Sequence, residues 1–274
     1  AGRCPSDQRS KSVSIGARGP YRPCMVPRVP QIVAFGGGGF SMESGNPLLD
    51  DYVVGLAAAA AGTDRPKVCF VPTASGDADH YIVRFYRAFS PSRCEPSHVS
   101  LFRRDRGSGI DGDIASHLLS QDLIYVGGGS VLSLLGTWRA HGLDDVLAEC
   151  WRRGIVLCGL SAGSLCWFDE AVTAFHGRAQ RVEGMGLLPY GNCVHANDAK
   201  RREEFRSLVA SGEMGTGYGA DDGAALHFVG RDLGHAVASR RDATAFRVEG
   251  IGGEALETPL HVEYLDEQRR LAAA

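Results

Sequence analysis

The feature that most constrains this chain is a rhythm: short apolar runs that halt at glycine or proline, with helix-period stretches between them. Gln31-Ile32-Val33-Ala34-Phe35 stops at Gly36 to Gly39, and Lys67-Val68-Cys69-Phe70-Val71 stops at Pro72. Asp122-Leu123-Ile124-Tyr125-Val126 stops at Gly127-Gly128-Gly129, and Gly154-Ile155-Val156-Leu157-Cys158 runs into Gly159. Runs this short, and apolar without alternation, suit strands covered on both faces, as in a parallel sheet. Helical spacing fills the gaps: an alanine-rich stretch before Lys67, Asp79 to Ala88 with Tyr81, Phe85 and Tyr86 on one face, Ile114 to Leu119, Val131 to His141, and Leu143 to Arg152. Such alternation predicts an α/β fold, a three-layer αβα sandwich around a mostly parallel sheet.

Other elements follow from the same reading. His98 to Phe102 reads as a further short strand, and Ala162 to Phe168 as the helix entered after Gly159. Beyond Ser161 the alternation loosens. Lys200 to Val209 is a charged amphipathic helix, while Ala224 to Val229 and Ala245 to Val248 read as extra C-terminal strands that would make the sheet mixed. Residues 1–30 are polar, irregular and interrupted by proline, so they read as a tail; residues 31–274 read as one α/β domain.

Composition narrows the function classes. The 274 residues carry 29 Lys and Arg against 32 Asp and Glu, a formal charge of -3, which is no footprint for nucleic acid. No apolar run approaches the roughly 20 residues of a membrane span, and the first thirty residues lack a signal-peptide core. The eight cysteines are scattered, without a Cys-x-x-Cys pair, and Cys69 and Cys158 lie inside apolar runs. A reducing cytoplasm, no metal and no cofactor are therefore expected.

The chemistry centres on Gly159-Leu160-Ser161-Ala162-Gly163, a G-x-S-x-G pentapeptide between an apolar strand and a helix. Small neighbours let the chain turn sharply and lift a hydroxyl to the strand's C-terminal end, where the Ala162 amide can face developing negative charge. Gly127-Gly128-Gly129 ends another strand of the same sheet, so the Gly128 amide is the second candidate oxyanion donor. No P-loop lysine follows it and no Rossmann spacing is present. A hydroxyl nucleophile needs a base, and His176, His195, His227 and His235 lie downstream. His227, inside an apolar run, reads as a hydrogen-bonded strand histidine; His195, in a polar loop before a helix, ranks first. For the carboxylate that would hold the imidazole, Asp221, Asp222, Asp198 and Asp169 all remain open on chemistry alone.

The segment Gly159 to Phe168, Gly-Leu-Ser-Ala-Gly-Ser-Leu-Cys-Trp-Phe, resembles the nucleophile region of peptidase family S51. That family includes aspartyl dipeptidase (dipeptidase E) and relatives of cyanophycinase, within the class I glutamine amidotransferase-like folds. Gly36 to Glu43, Tyr125 to Ser130 and Gly219 to Leu226 match its other landmarks in order. The resemblance implies a flavodoxin-like αβα fold and a serine peptidase of small peptides, most readily dipeptides with N-terminal aspartate. It maps the triad onto Ser161, His195 and Asp222, with Asp222 where the prototype has glutamate, and the oxyanion hole onto Gly128 and Ala162. It places substrate-reading residues at Arg201 and Arg202, with Asp221 beside them. A cyanophycinase-like hydrolase of β-linked aspartyl peptides, or a catalytically impaired peptide-binding homologue, are the alternatives. The implied partner is a small peptide, with no nucleic acid or membrane, and a homodimer where the protein self-associates. One departure stands out: many relatives carry an acidic residue where this chain has Ala174.

Overall fold

A computed structural model describes residues 28–102, 113–175 and 177–266. All but the last three residues of the expected tail, and also His176, lie outside the described residues. The β/α alternation is present as read. Strands β1 (Gln31–Phe35), β2 (Lys67–Val71), β3 (Glu95–His98), β4 (Leu123–Val126) and β5 (Val156–Leu160) run parallel in the spatial order β1-β5-β4-β2-β3. Beyond β1 the sheet turns antiparallel through β10 (Ala224–Val229) and β11 (Asp232–Ala238), and β14 (Val262–Tyr264) closes the edge parallel to β11. The sheet is thus mixed, as the run Ala224 to Val229 implies, but the run expected at Ala245 to Val248 lies in β12 (Ala245–Ile251) of a separate sheet, where it pairs with residues 217–220 and 254–259.

Period two along each strand sends alternate side chains to opposite faces. Val33, Phe35, Val68, Phe70, Leu123 and Tyr125 pack on one face against α2 (Leu48–Ala61) and α3 (Asp79–Ala88), through Leu49, Val53 and Phe85. Ile32, Ala34, Cys69, Val71, Ile124 and Val126 pack on the other. There they meet α4 (Ile114–Leu119), α5 (Val131–His141) and α6 (Leu143–Arg152) through Leu118, Leu134, Trp138 and Leu147. Buried on both sides, these strands leave no polar face, which is why their sequences are continuously apolar. No described helix is long and apolar enough to cross a membrane.

A second sheet was not legible in the sequence. Its six strands are β6 (Phe168–Thr173), β7 (Gln180–Glu183), β8 (Leu188–Val194), β9 (Gly217–Ala220), β12 (Ala245–Ile251) and β13 (Glu254–Pro259), in the order β13-β12-β9-β8-β6-β7. One face joins the core of the large sheet through Ala171, Leu188, Val194 and Tyr218. The other packs Val172, Cys193, Phe246 and Val248 against Phe205 and Val209 of α8 (Ala199–Ala210).

Two local expectations need correction. The third strand occupies Glu95–His98, pairing with Lys67 to Phe70, rather than His98 to Phe102. The chain turns away after Val99 because the Asp77 carboxylate accepts the amides of Leu101 and Phe102, at 2.7 and 2.8 Å. The helix after Ser161 is a single turn, α7 (Ala162–Leu165), and not a helix to Phe168. Trp167 tucks against Trp138, ring centroids 6.0 Å apart, and Phe168 already belongs to β6, its carbonyl accepting the Gly186 amide at 3.1 Å.

Candidate active site

Ser161 stands where β5 gives way to α7, with φ 53° and ψ -116°, a conformation costly for a residue with a side chain. Its neighbours explain how the turn closes. A Cβ on Gly159 would collide with the Gly163 carbonyl oxygen, and one on Gly163 with that of Val126, so both positions need glycine for backbone to meet backbone. The Ser161 carbonyl is held by the amides of Ser164 and Leu165, both at 2.9 Å, and its own amide reaches the Phe35 carbonyl at the end of β1.

The other two groups come from the second sheet. His195 follows β8, also in a left-handed conformation with φ 51°, and its amide donates to the Gly36 carbonyl at 2.9 Å. Asp222 lies in the turn by which the chain leaves β9 of the small sheet and enters β10 of the large one. That turn is pinned to the first glycine loop: Gly37 and Asp222 form a β-bridge, and the Gly223 amide donates to the Gly37 carbonyl at 3.0 Å.

These contacts bring Ser161, His195 and Asp222 into one line. His195 Nε2 lies 3.0 Å from Ser161 Oγ, and His195 Nδ1 lies 2.5 Å from Asp222 Oδ1. A carboxylate can only accept here, so Nδ1 carries the proton and Nε2 presents its lone pair to the hydroxyl. Hydrogen bonding from His195 holds the Asp222 carboxyl below the usual carboxylate range, helped by the charge attraction to His195, the Asn197 amide and the Arg240 guanidinium, and opposed by burial.

Two supports were missed by sequence reasoning. Asn197 clasps Asp222 from both ends, its Oδ1 accepting the Asp222 amide at 3.1 Å and its Nδ2 donating to Oδ2 at 3.4 Å. An Asn two residues beyond His195 was the only available signal. Arg240, which packs against Gly223, is paired with the buried Glu43, whose second oxygen accepts the Ser239 hydroxyl at 2.6 Å.

The remaining candidates lie as follows. Gly128 borders the elbow, a Cβ there falling 3.4 Å from the Ser161 Cβ. Among the described residues the amides of Gly128 and Ala162 make no backbone hydrogen bond. Asp221 turns the opposite way, one oxygen accepting the Thr244 amide and hydroxyl at 2.9 and 2.6 Å. Asp198 is the N-cap of α8, accepting the amides of Lys200 and Arg201, and Asp169 is exposed on β6. Arg201 Nη1 donates to the Val194 carbonyl at 3.4 Å, while its Nε is buried without a partner among the described residues. Arg202 pairs with Glu257 and lies 4.1 Å over the Phe246 ring. His227 is fully engaged within the sheet, with Tyr52 Oη at 2.8 Å and Gln31 Oε1 at 3.0 Å.

Fold and geometry together define a class: an αβα protein of the flavodoxin-like, class I glutamine amidotransferase-related architecture, with a serine on a strained strand-to-helix elbow. A peptidase from an acI-B1 actinobacterium shares the fold at a TM-score of 0.64 with 19% identity, over 86% of this chain and 96% of that one. A putative peptidase E from Listeria monocytogenes EGD-e superposes at 0.51 with 17% identity, over 75% and 96%. The chain is 44% identical over 236 residues to the uncharacterized peptidase YgaJ of Bacillus subtilis (strain 168), covering 86% of this chain and 99% of that protein. Residues 32–235 match the model of peptidase family S51, and the chain belongs to that family. It is a hydrolase of the peptidase class.

Proposed function

We propose that the chain is a serine peptidase of short peptides, working through Ser161, His195 and Asp222 by way of an acyl-enzyme. The observation that carries this reading is the unbroken hydrogen-bonded line from Ser161 Oγ through the imidazole to Asp222 Oδ1. Asp222 fixes the tautomer; Nε2 takes the hydroxyl proton as Oγ attacks the scissile carbonyl. The amides of Gly128 and Ala162 receive the oxyanion. The imidazolium then protonates the leaving amine, and a water activated by the same nitrogen releases the acyl group. Because α7 is a single turn, the Ala162 amide, and not a helix dipole, would supply the charge stabilisation on that side.

N-terminal aspartate is the substrate suggested by the family resemblance, with Arg201 and Arg202 as its readers and Asp221 behind them. The pairing of Arg202 with Glu257 weighs against a free role for that side chain. A peptide-binding homologue without turnover is the second reading, motivated by Ala174 at a position acidic in many relatives. A panel of α- and β-linked aspartyl dipeptides separates ordinary from cyanophycinase-like hydrolysis. Ser161→Ala should lower turnover by at least ~10⁴-fold while keeping the fold, and a serine-reactive phosphonate should label the parent only. Unchanged turnover in the variant sinks the assignment, and absence of labelling alongside peptide binding favours the second reading.

A further inference from the structure

Glu43 is a buried ionisable group that the proposed relay does not use, set against the first glycine loop. A Cβ on Gly37 would meet Asp222 and His195, and one on Gly38 would fall 2.8 Å from Glu43 Oε2, so adjacent residues of one loop serve the two carboxylates. The Glu43 side chain is 4% exposed, and a carboxylate so buried is costly unless donors surround it. Both of its oxygens are met. Oε1 accepts from Arg240 Nε at 2.5 Å, and Oε2 from the Ser239 hydroxyl at 2.6 Å. Asn46 grips the same turn, its Nδ2 donating to the Ser239 carbonyl at 3.0 Å. The segment after the glycine loop thus holds residues 239 and 240 through two of its side chains.

What this clasp restrains is a cation beside the relay. The Arg240 side chain runs over Gly223, the residue after Asp222; a Cβ there would lie 2.9, 3.0 and 3.2 Å from its Cγ, Cδ and Nε. Besides Glu43, the guanidinium feels the charges of Asp222 and Asp242. Asp222 in turn faces His195 through one oxygen and Asn197 through the other. On the core side Glu43 faces Tyr125, a phenol that burial keeps protonated and that Asp50 also neighbours. At the separation Glu43 sets, the Arg240 charge helps to keep Asp222 ionised. A guanidinium can also take both oxygens of a carboxylate, a stronger pair than one imidazole contact. Released from Glu43, Arg240 is left with the carboxylates of Asp222 and Asp242, and a fork closed on Asp222 would strip the imidazole of its acceptor.

We infer that Glu43 is a positioning residue for the hydrolysis: it holds Arg240 close enough for its charge to act on Asp222, yet keeps it from taking Asp222 away from His195. The inference rests on the serine-peptidase reading and adds to it a pair of side chains outside the relay's own contacts. The two should act with opposite sign. Without Glu43, Arg240 closes on Asp222, the imidazolium loses its counter-charge, and the acid limb of the pH profile moves to lower pH. Without Arg240, a nearby positive charge is gone, the imidazolium forms more readily, and the limb moves to higher pH.

The test follows the labelling of Ser161 by diisopropyl fluorophosphate across a pH series, a reaction in which Oγ displaces fluoride from phosphorus and no peptide has to be recognised. It compares the parent, Glu43→Gln, Arg240→Gln and the double variant. Glu43→Gln, close in shape and still able to accept the Ser239 hydroxyl, should slow labelling by roughly 10- to 10³-fold. Arg240→Gln should slow it by less than about tenfold, since its charge is half exposed. The double variant should recover to the Arg240→Gln rate. Recovery, with acid limbs displaced in opposite directions, is what a merely structural Glu43 would not produce. If Glu43→Gln does not fold, the Arg240→Gln limb alone decides, and a limb that stays in place overturns the proposal. A double variant as slow as Glu43→Gln, or limbs that move the same way, overturns it as well. A parent that takes no label, or turnover persisting in Ser161→Ala, overturns the serine-peptidase reading instead, so the two failures are distinguishable.

Discussion

Gly37→Ala isolates the contact on which the proposed relay depends. A Cβ at residue 37 would overlap Asp222 Oδ1 and would lie 2.9 Å from His195 Nδ1 and 3.0 Å from the Asp222 carboxyl carbon. The backbone does not forbid alanine, since Gly37 is not among the residues with positive φ. The cheapest relief is retreat of the carboxylate by about 1 Å or more, which takes it from 2.5 Å to beyond hydrogen-bond range of the imidazole. Without that acceptor the tautomer is no longer fixed and the imidazolium is no longer stabilised. A loss of roughly 10³- to 10⁴-fold in kcat is expected, about 4–5.5 kcal/mol of transition-state stabilisation. Stability should fall by only ~1 kcal/mol, because one partly exposed side chain moves and the core is untouched. The assay pairs steady-state hydrolysis of a short peptide with a denaturant melt, and includes Gly37→Ala/Asp222→Ala. The double variant should be no worse than Asp222→Ala, since both remove one interaction. Activity within about threefold of the parent, or additive losses in the double variant, would refute the reasoning.

Two further outcomes concern stability. Burial pushes the His227 imidazole down to about 4, so between about pH 6.5 and 4 the unfolded chain binds a proton that the folded chain does not; stability is lost as pH falls through that window, by about 3 kcal/mol at most. His227→Gln should flatten the His227 part of that slope in melts at graded pH, and an unaltered slope would show the charge is borne elsewhere. Gly55 lies exposed within α2 with open space at its Cβ position, so Gly55→Ala should add about 0.5–1 kcal/mol without altering turnover; a loss of stability would contradict the placement.

Much of this molecule was legible because the signals are local. The apolar runs at Gln31, Lys67, Asp122 and Val156 become strands since their neighbours within a few residues dictate burial on both faces. The elbow at Ser161 is likewise written into five consecutive residues, three of them small enough for the turn. The second sheet was not legible because its strands carry no clean pattern: β6 opens with two acids after Phe168, β8 is interrupted by Pro189 and Gly191, and β9 is Gly-Tyr-Gly-Ala. The overlong reading of the helix after Ser161 has a different origin, because Trp167 and Phe168 fit a helical pattern but are claimed by Trp138 and by β6.

For the candidate site the division is sharper still. By itself the sequence determined an α/β scaffold, a serine on a tight bend and a short list of possible partners. Chemistry alone could not choose between Asp221 and Asp222, which are identical in type and adjacent; only the family resemblance pointed to Asp222. Tertiary structure sets the two apart: Asp221 is turned to Thr244, while the bridge between Gly37 and Asp222 brings the Asp222 carboxylate against His195. Only folding could bring together groups 34 and 27 positions apart and set Gly37 close enough to leave room for nothing larger.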